Sequence, residues 1–302
     1  MEEKPMSKFT FPVCREEVRI ETGFMKHIEE LTLGTYNSSG VIVWTGSSGL
    51  GKTTTALWMK DRIEEAYSDD IPDAFRAKHY QSTQLDDRPS VEKAAMKSFH
   101  LGILGPLDNG LYRRVGAQEL AEHIVTALIK KRIGIAFVDE AGLCCVNAIR
   151  ALIAVRDLAV KKGHRLTMVL IGMDDLPIKL EANAQVYGRI KEWCFFQPYS
   201  LEETADLALE VSDLWEGADL DDLEVKRQMA MLHQVTGGVP GLLVPFLEKV
   251  EKRLARSNRE LSAAFLMGVH QRTLNAQTKA RQAARGNYSF PTSNGGNGRK
   301  KP

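Results

Sequence analysis

The sequence predicts an α/β fold: a parallel sheet flanked by helices over residues 13–199, followed by a small all-α region over residues 200–285. Three observations predict it. Short apolar, β-branched runs alternate with segments of helical period, these runs stop after Pro198, and from 201 to 285 only helical periods remain.

The elements follow in chain order. Residues 1–12 are polar, contain Pro5 and Pro12, and predict a flexible N-terminus. Val18, Ile20, Phe24, Ile28 and Leu31 recur at helical spacing over 15–33, and 34–40 reads as a turn. Val41–Thr45 has the composition of a strand buried on both faces, and it runs into a glycine-rich loop and a helix over about 52–65. A strand is expected at 79–83, a helix at 90–104, a loop at 102–116 and a helix at 117–131. Residues 133–138 form another apolar run that ends in Asp139-Glu140. A helix at 146–161 and strands at 166–171 and 193–197 complete the α/β part. Helices are then expected at 201–214, 222–235, 241–256 and 260–284, and the Gly, Asn, Ser and Pro content of 286–302 predicts a disordered basic tail.

Composition narrows the function classes. The 302 residues are 43% hydrophobic, enough for a sizeable core. No apolar run approaches the roughly 20 residues that cross a bilayer, and the Met1-Glu2-Glu3-Lys4-Pro5 start has no signal-peptide pattern. A cytoplasmic protein without a membrane partner is the expectation. Cys14, Cys144, Cys145 and Cys194 have no metal-ligand or disulfide spacing, the histidines do not cluster, and the four tryptophans read as core. The net charge of +1 conceals an asymmetry. Residues 261–302 carry seven basic side chains and no acidic one, which leaves −6 on the first 260 residues.

Gly46-Ser47-Ser48-Gly49-Leu50-Gly51-Lys52-Thr53 matches G-x-x-x-x-G-K-[ST] between an apolar strand and a helix. Glycines let successive N–H groups curl around an anion, and the helix adds the positive end of its dipole. These residues and Thr54 are the candidate ATP contacts, with Lys52 on the β/γ-phosphates and Thr53 on Mg²⁺. Asp139 is the second candidate for Mg²⁺, and Glu140 is placed to polarise the attacking water. Alone, that acidic pair also reads as two solvated residues before a turn.

Together these motifs resemble the AAA+ ATPase family over about residues 12–256. The Walker A loop, residues 135–140 as Walker B with its glutamate, the 166–171 strand and Thr236-Gly237-Gly238-Val239-Pro240 carry the resemblance. Val13-Cys14-Arg15-Glu16-Glu17 is similar to the segment that frames adenine in origin-recognition-like members, which makes Val13 and Arg15 cofactor-binding candidates. Within the family, Leu170-Ile171-Gly172-Met173-Asp174-Asp175-Leu176-Pro177 resembles the strand-to-helix junction of the TnsC, TniB and MuB transposition regulators and of ExeA-like ATPases. The resemblance implies an ATP-dependent homo-oligomer, a ring or filament on double-stranded DNA. Such an assembly marks a target site, recruits a transposase, works with a target-selector protein and is disassembled by hydrolysis. It also implies that Arg189 is an in-trans arginine finger; a surface arginine at a helix end is the plain alternative.

Two departures from the family pattern stand out. The position after the 166–171 strand offers Asp174 rather than Asn, Ser or Thr, and Gly241-Leu242-Leu243 lacks the usual arginine. Both imply slow, switch-like hydrolysis. An ExeA-like secretion ATPase would favour a membrane segment or peptidoglycan-binding domain. An origin or helicase-loading ATPase would favour a winged helix after the lid.

Candidate DNA contacts are Arg113 and Arg114 in the 105–116 loop, and Arg272, Lys279 and Arg281, with Arg285, on the last helix. That basic end also reads as a solvated helix plus tail. Lys130, Lys131 and Arg132 read as complements to a helix dipole.

Overall fold

The computed structural model describes residues 22–69, 71, 74–105, 115–257 and 259–286, with side chains as far as 279. The expected helix before residue 22, the 106–114 loop and the tail from 287 lie outside the described residues.

Five parallel strands form one sheet in the order β2-β3-β4-β1-β5. They are β1 (Val41–Thr45), β2 (Arg76–Gln81), β3 (Ile133–Asp139), β4 (Thr167–Gly172) and β5 (Ile190–Phe195). Every residue of β1, β3 and β4 is buried, as the near-continuous apolar runs require of strands covered on both faces. Side chains alternate between two cores. Val41, Val43, Ala136, Val138, Met168 and Leu170 face α3 (Val91–Leu104), α4 (Ala117–Lys130) and α5 (Val146–Lys161). Ile42, Trp44, Ile135, Phe137, Val169 and Ile171 face α1 (Gly23–Asn37) and α2 (Lys52–Glu65).

Strand order positions the site. The chain leaves β1 toward α2 on one face, and leaves β4 toward the short helices α6 (Leu176–Glu181) and α7 (Ala184–Tyr187) on the other. β1 and β4 are neighbours, with Val41 opposite Met168 and Thr45 opposite Gly172, so the diverging connections open a crevice at their C-terminal ends.

Sequence reading erred at the sheet edges and at glycines. β2 starts at Arg76 rather than 79, and β5 at Ile190 rather than 193. Each pairs on one side only, so charged residues such as Lys78, Lys191 and Glu192 are tolerated there and the apolar signal is weak. α1 runs through Gly34 to Asn37, where a turn was expected. Gly102 lies inside α3 because a Cβ would sit 2.1 Å from the Tyr80 ring. The helices α6 and α7 are too short to show a period.

The C-terminal region comprises α8 (Leu201–Val211), α9 (Leu223–Thr236), α10 (Pro240–Leu254) and α11 (Ala263–Gly286). Ser200 and Glu203 form a capping box that starts α8. Leu207, Trp215, Leu232, Leu247 and Val250 build a third core, and Leu266 and Val269 of α11 are buried in it. Trp44, Trp58 and Trp215 are buried as core residues. No helix among the described residues is long and apolar enough to cross a membrane.

Candidate nucleotide site and a distant arginine

The loop after β1 turns through left-handed backbone at Gly49 (φ 83°) and Gly51 (φ 87°), conformations that favour glycine. α2 begins at once at Lys52 with no side-chain cap, so its first N–H groups have no helical partner and stand at the loop. Lys52 Nζ donates to the loop carbonyls of Gly46 (2.6 Å) and Ser47 (2.8 Å). Burial pushes the Lys52 ammonium below the ordinary lysine value, and the nearby Asp139, Asp174 and Glu140 carboxylates pull it part of the way back.

Parallel pairing brings the acidic end of β3 beside this loop. Thr53 Oγ1 donates to Asp139 Oδ2 at 2.7 Å, across 86 residues of sequence. The Glu140 N–H donates to Asp139 Oδ1 at 2.8 Å, and His79 Nε2 lies 3.2 Å from Asp139 Oδ2. Burial drives the Asp139 carboxyl upward, but the hydrogen bonds from His79, Thr53 and the Glu140 N–H outweigh it and hold the group below the usual carboxylate range. Glu140 is partly exposed and takes a left-handed backbone (φ 54°), a conformation that costs a non-glycine residue about 1–3 kcal/mol and recurs at functional sites.

Two further segments close on the loop. Asp174 Oδ2 accepts from Ser47 Oγ at 2.7 Å, and Thr45 Oγ1 donates to the Met173 carbonyl at 2.8 Å. From the C-terminal region, the Gly241 N–H donates to the Gly49 carbonyl at 2.9 Å. A Cβ on Gly241 would lie 2.9 Å from Gly49 Cα, so backbone meets backbone there.

Arg189 is elsewhere. It precedes Ile190, which pairs with Val41 at the start of β1, whereas Gly46 follows the end of that strand. A five-residue strand separates the two by on the order of 15 Å, beyond the reach of an arginine side chain. Arg189 is half-exposed and paired with Asp157, whose other oxygen accepts from Arg156 NH1 at 2.6 Å.

Of the DNA candidates, Arg272 and Lys279 are exposed on α11 and seven residues apart, hence on one helix face. Arg281 lies in α11, but its side chain is outside the described residues, as are Val13, Arg15, Arg113 and Arg114. Lys131 donates to the Leu104 carbonyl (2.8 Å) and Arg132 to those of Asp69 and Ile71 (each 3.3 Å), just beyond the end of α4. Cys144 and Cys194 are buried free thiols, and burial pushes Cys194 up to about 12. Among the described residues no three His, Cys, Asp or Glu side chains cluster as a metal site.

Sequence reading missed His79, the Ser47–Asp174 bond and the Gly49–Gly241 contact. A histidine on a polar edge strand carries no motif signal. The other two join residues 127 and 192 positions apart in sequence, which only the folded chain brings together.

A glycine-rich loop, a following helix and an acidic strand end on a five-stranded parallel sheet define a P-loop NTPase of the AAA+ fold. Residues 36–180 match the family model of the AAA domain. No curated protein matches the sequence. The chain is similar in structure to the ORC2 protein of Aeropyrum pernix, solved as ADPNP-ADP complexes, with 14% identity, TM-score 0.61, and 88% of this chain and 70% of that chain covered. It is also similar to Drosophila ORC bound to DNA (17% identity, TM-score 0.59, 85% and 62% covered). A third likeness is domain III of the Thermotoga maritima replication initiation protein DnaA (12% identity, TM-score 0.52, 84% and 94% covered). At these identities the likeness is one of fold.

Proposed function

We propose that this chain is a Mg²⁺-dependent ATPase that assembles as a homo-oligomer on double-stranded DNA and regulates transposition, with hydrolysis driving disassembly. The observation that carries the reading is the split arrangement. Lys52, Thr53, Asp139 and Glu140 gather at one end of the sheet, and Arg189 lies at the other. A finger at Arg189 therefore serves the phosphate loop of a second copy, which requires an oligomer.

The residues present fit the nucleotide and the metal. The left-handed loop and helix N-terminus suit phosphate oxygens, and Thr53 Oγ1 and Asp139 Oδ2 offer hard oxygen donors to Mg²⁺. Thr53 and Asp139 would hold the magnesium, which would supply positive charge against the phosphates. Lys52 would exchange its loop carbonyls for phosphate oxygens, and Glu140 would orient the attacking water. Asp174 beside Ser47 adds a negative charge at the loop, and Gly241 adds no cation, which supports slow, switch-like turnover.

DNA binding draws support from exposed Arg272 and Lys279 and from the fold shared with Drosophila ORC, itself solved bound to DNA. The transposition role, with a transposase and target selector as partners, rests on the TnsC, TniB and MuB resemblance at 170–177. The fold shared with ORC and DnaA proteins favours a second reading, an origin or helicase-loading ATPase.

The test is electron microscopy of wild type and Glu140→Gln on duplex DNA with ATP. Rings or filaments are expected that persist in Glu140→Gln, with hydrolysis reduced at least about 100-fold and nucleotide binding retained. Arg189→Ala is expected to lower hydrolysis only under conditions of assembly. Absence of DNA association at low salt in every nucleotide state would sink the DNA reading. Stimulation of helicase loading, but not of transposase strand transfer, would select the second reading.

A further inference from the structure

We propose that His79 is a positioning residue for the magnesium–nucleotide site, its imidazole Nε2–H fixing the Asp139 carboxylate against which Thr53 is set. This rests on the nucleotide-site reading above and goes beyond it, because no motif includes His79. The residue lies on the edge strand β2, opposite Phe137, while Gln81 is opposite Asp139. Its side chain is only 16% exposed and reaches toward the strand end, placing Nε2 3.2 Å from Asp139 Oδ2.

The donor arrangement gives this contact its function. An ionised carboxylate accepts only, so the nitrogen facing it carries the proton. Oδ1 takes the Glu140 N–H at 2.8 Å, while Oδ2 takes both Thr53 Oγ1–H at 2.7 Å and His79. Three donors from three elements thus hold one side chain: β2, α2 and the end of β3 itself. Thr53, at the start of α2, is itself a proposed magnesium ligand, so its hydroxyl would be shared with the metal. His79 belongs to the sheet and supplies the fixed donor on Oδ2. Losing it leaves one donor on each oxygen, Thr53 on Oδ2 and the Glu140 N–H on Oδ1, and so a carboxylate held less firmly about its last torsion. Groups that orient a metal-binding side chain in this way typically alter metal affinity about 10–100-fold when removed.

The test uses the full chain and a fluorescent ATP analogue, titrated with Mg²⁺ and in parallel in EDTA. His79→Ala and His79→Leu are each expected to raise the Mg²⁺ concentration for half-maximal tight binding on the order of tenfold, with affinity in EDTA little changed. His79→Gln carries an amide N–H at similar reach and is expected to restore most of the wild-type Mg²⁺ dependence. A half-saturation in the Ala and Leu variants equal to wild type would overturn the proposal. So would a Gln variant as impaired as Leu, because that outcome assigns His79 to packing alone. Thr53→Ala in the same titration separates the two levels: if it too leaves the Mg²⁺ dependence unchanged, the nucleotide-site reading itself fails.

Discussion

The sheet and the helical region behind it bury their interiors by different chemistry. The central strands β1, β3 and β4 are apolar along almost their whole length, and the polar groups that matter (Thr45, Asp139, Glu140) stand at their C-terminal ends. The helical region carries hydrogen-bonded pairs inside its own core. Trp215 Nε1 donates to Gln228 at 2.6 Å, Thr204 meets His233 at 3.1 Å, and Ser212 donates to Glu251 at 2.6 Å. Between the two runs a backbone contact, Gly241 to Gly49, that admits no Cβ. The difference shows that the phosphate loop is aimed by the fully buried, apolar part of the molecule. The helical part is joined to that loop through a contact with no room to give.

The comparison breaks most visibly in the sheet. Phe137 is fully buried between Trp44 and its neighbours, so Phe137→Ala is expected to cost about 3–5 kcal/mol, read as a lowered denaturant midpoint for the chain. A loss below about 1 kcal/mol would mean that the sheet interior is not close-packed around this ring. The junction comes next. Gly241→Ala places a methyl 2.9 Å from Gly49 Cα, where backbone cannot yield, and is expected to weaken ATP binding about tenfold while circular dichroism stays unchanged. Wild-type affinity in that variant would show that the helical region is not coupled to the loop.

The smallest effect lies inside the helical core. Burial foremost, helped by Asp213 and Glu248, raises the Glu251 carboxyl above its ordinary value against the Ser212 hydrogen bond and Lys252. A raised folded pKa contributes stability below the unfolded value, and that contribution is lost as pH rises through the folded one. Glu251→Gln, which cannot ionise but can still accept from Ser212, is therefore expected to raise the thermal midpoint at pH 8 and leave it nearly unchanged at pH 4. Melting curves at the two pH values check this, and an equal shift at both would refute the assignment.

Much of the fold was legible because it rests on local signals. Buried parallel strands read as apolar runs, and α2 and α5 fall where their periods begin and end. Edge strands were misplaced by three residues because an edge needs no apolar pattern. In the site, the phosphate loop and Asp139-Glu140 were visible as motifs because phosphate contact and charge placement demand fixed residue types. His79 was not, because a lone histidine among polar residues has no periodicity or partner in sequence.

The sequence by itself determined a parallel α/β sheet, a glycine-rich loop able to curl around phosphate, an acidic strand end and a basic C-terminal segment. Each depends on neighbours within a few residues, through backbone freedom, side-chain alternation or local charge. Only the tertiary structure decided that Asp139 is held at once by Thr53, His79 and its own strand end, and that Arg189 stands a strand length away from the loop. It likewise decided that a glycine of the helical region abuts Gly49. The reason is that strand order and register fix which distant residues share an edge of the sheet, and no local pattern carries that information.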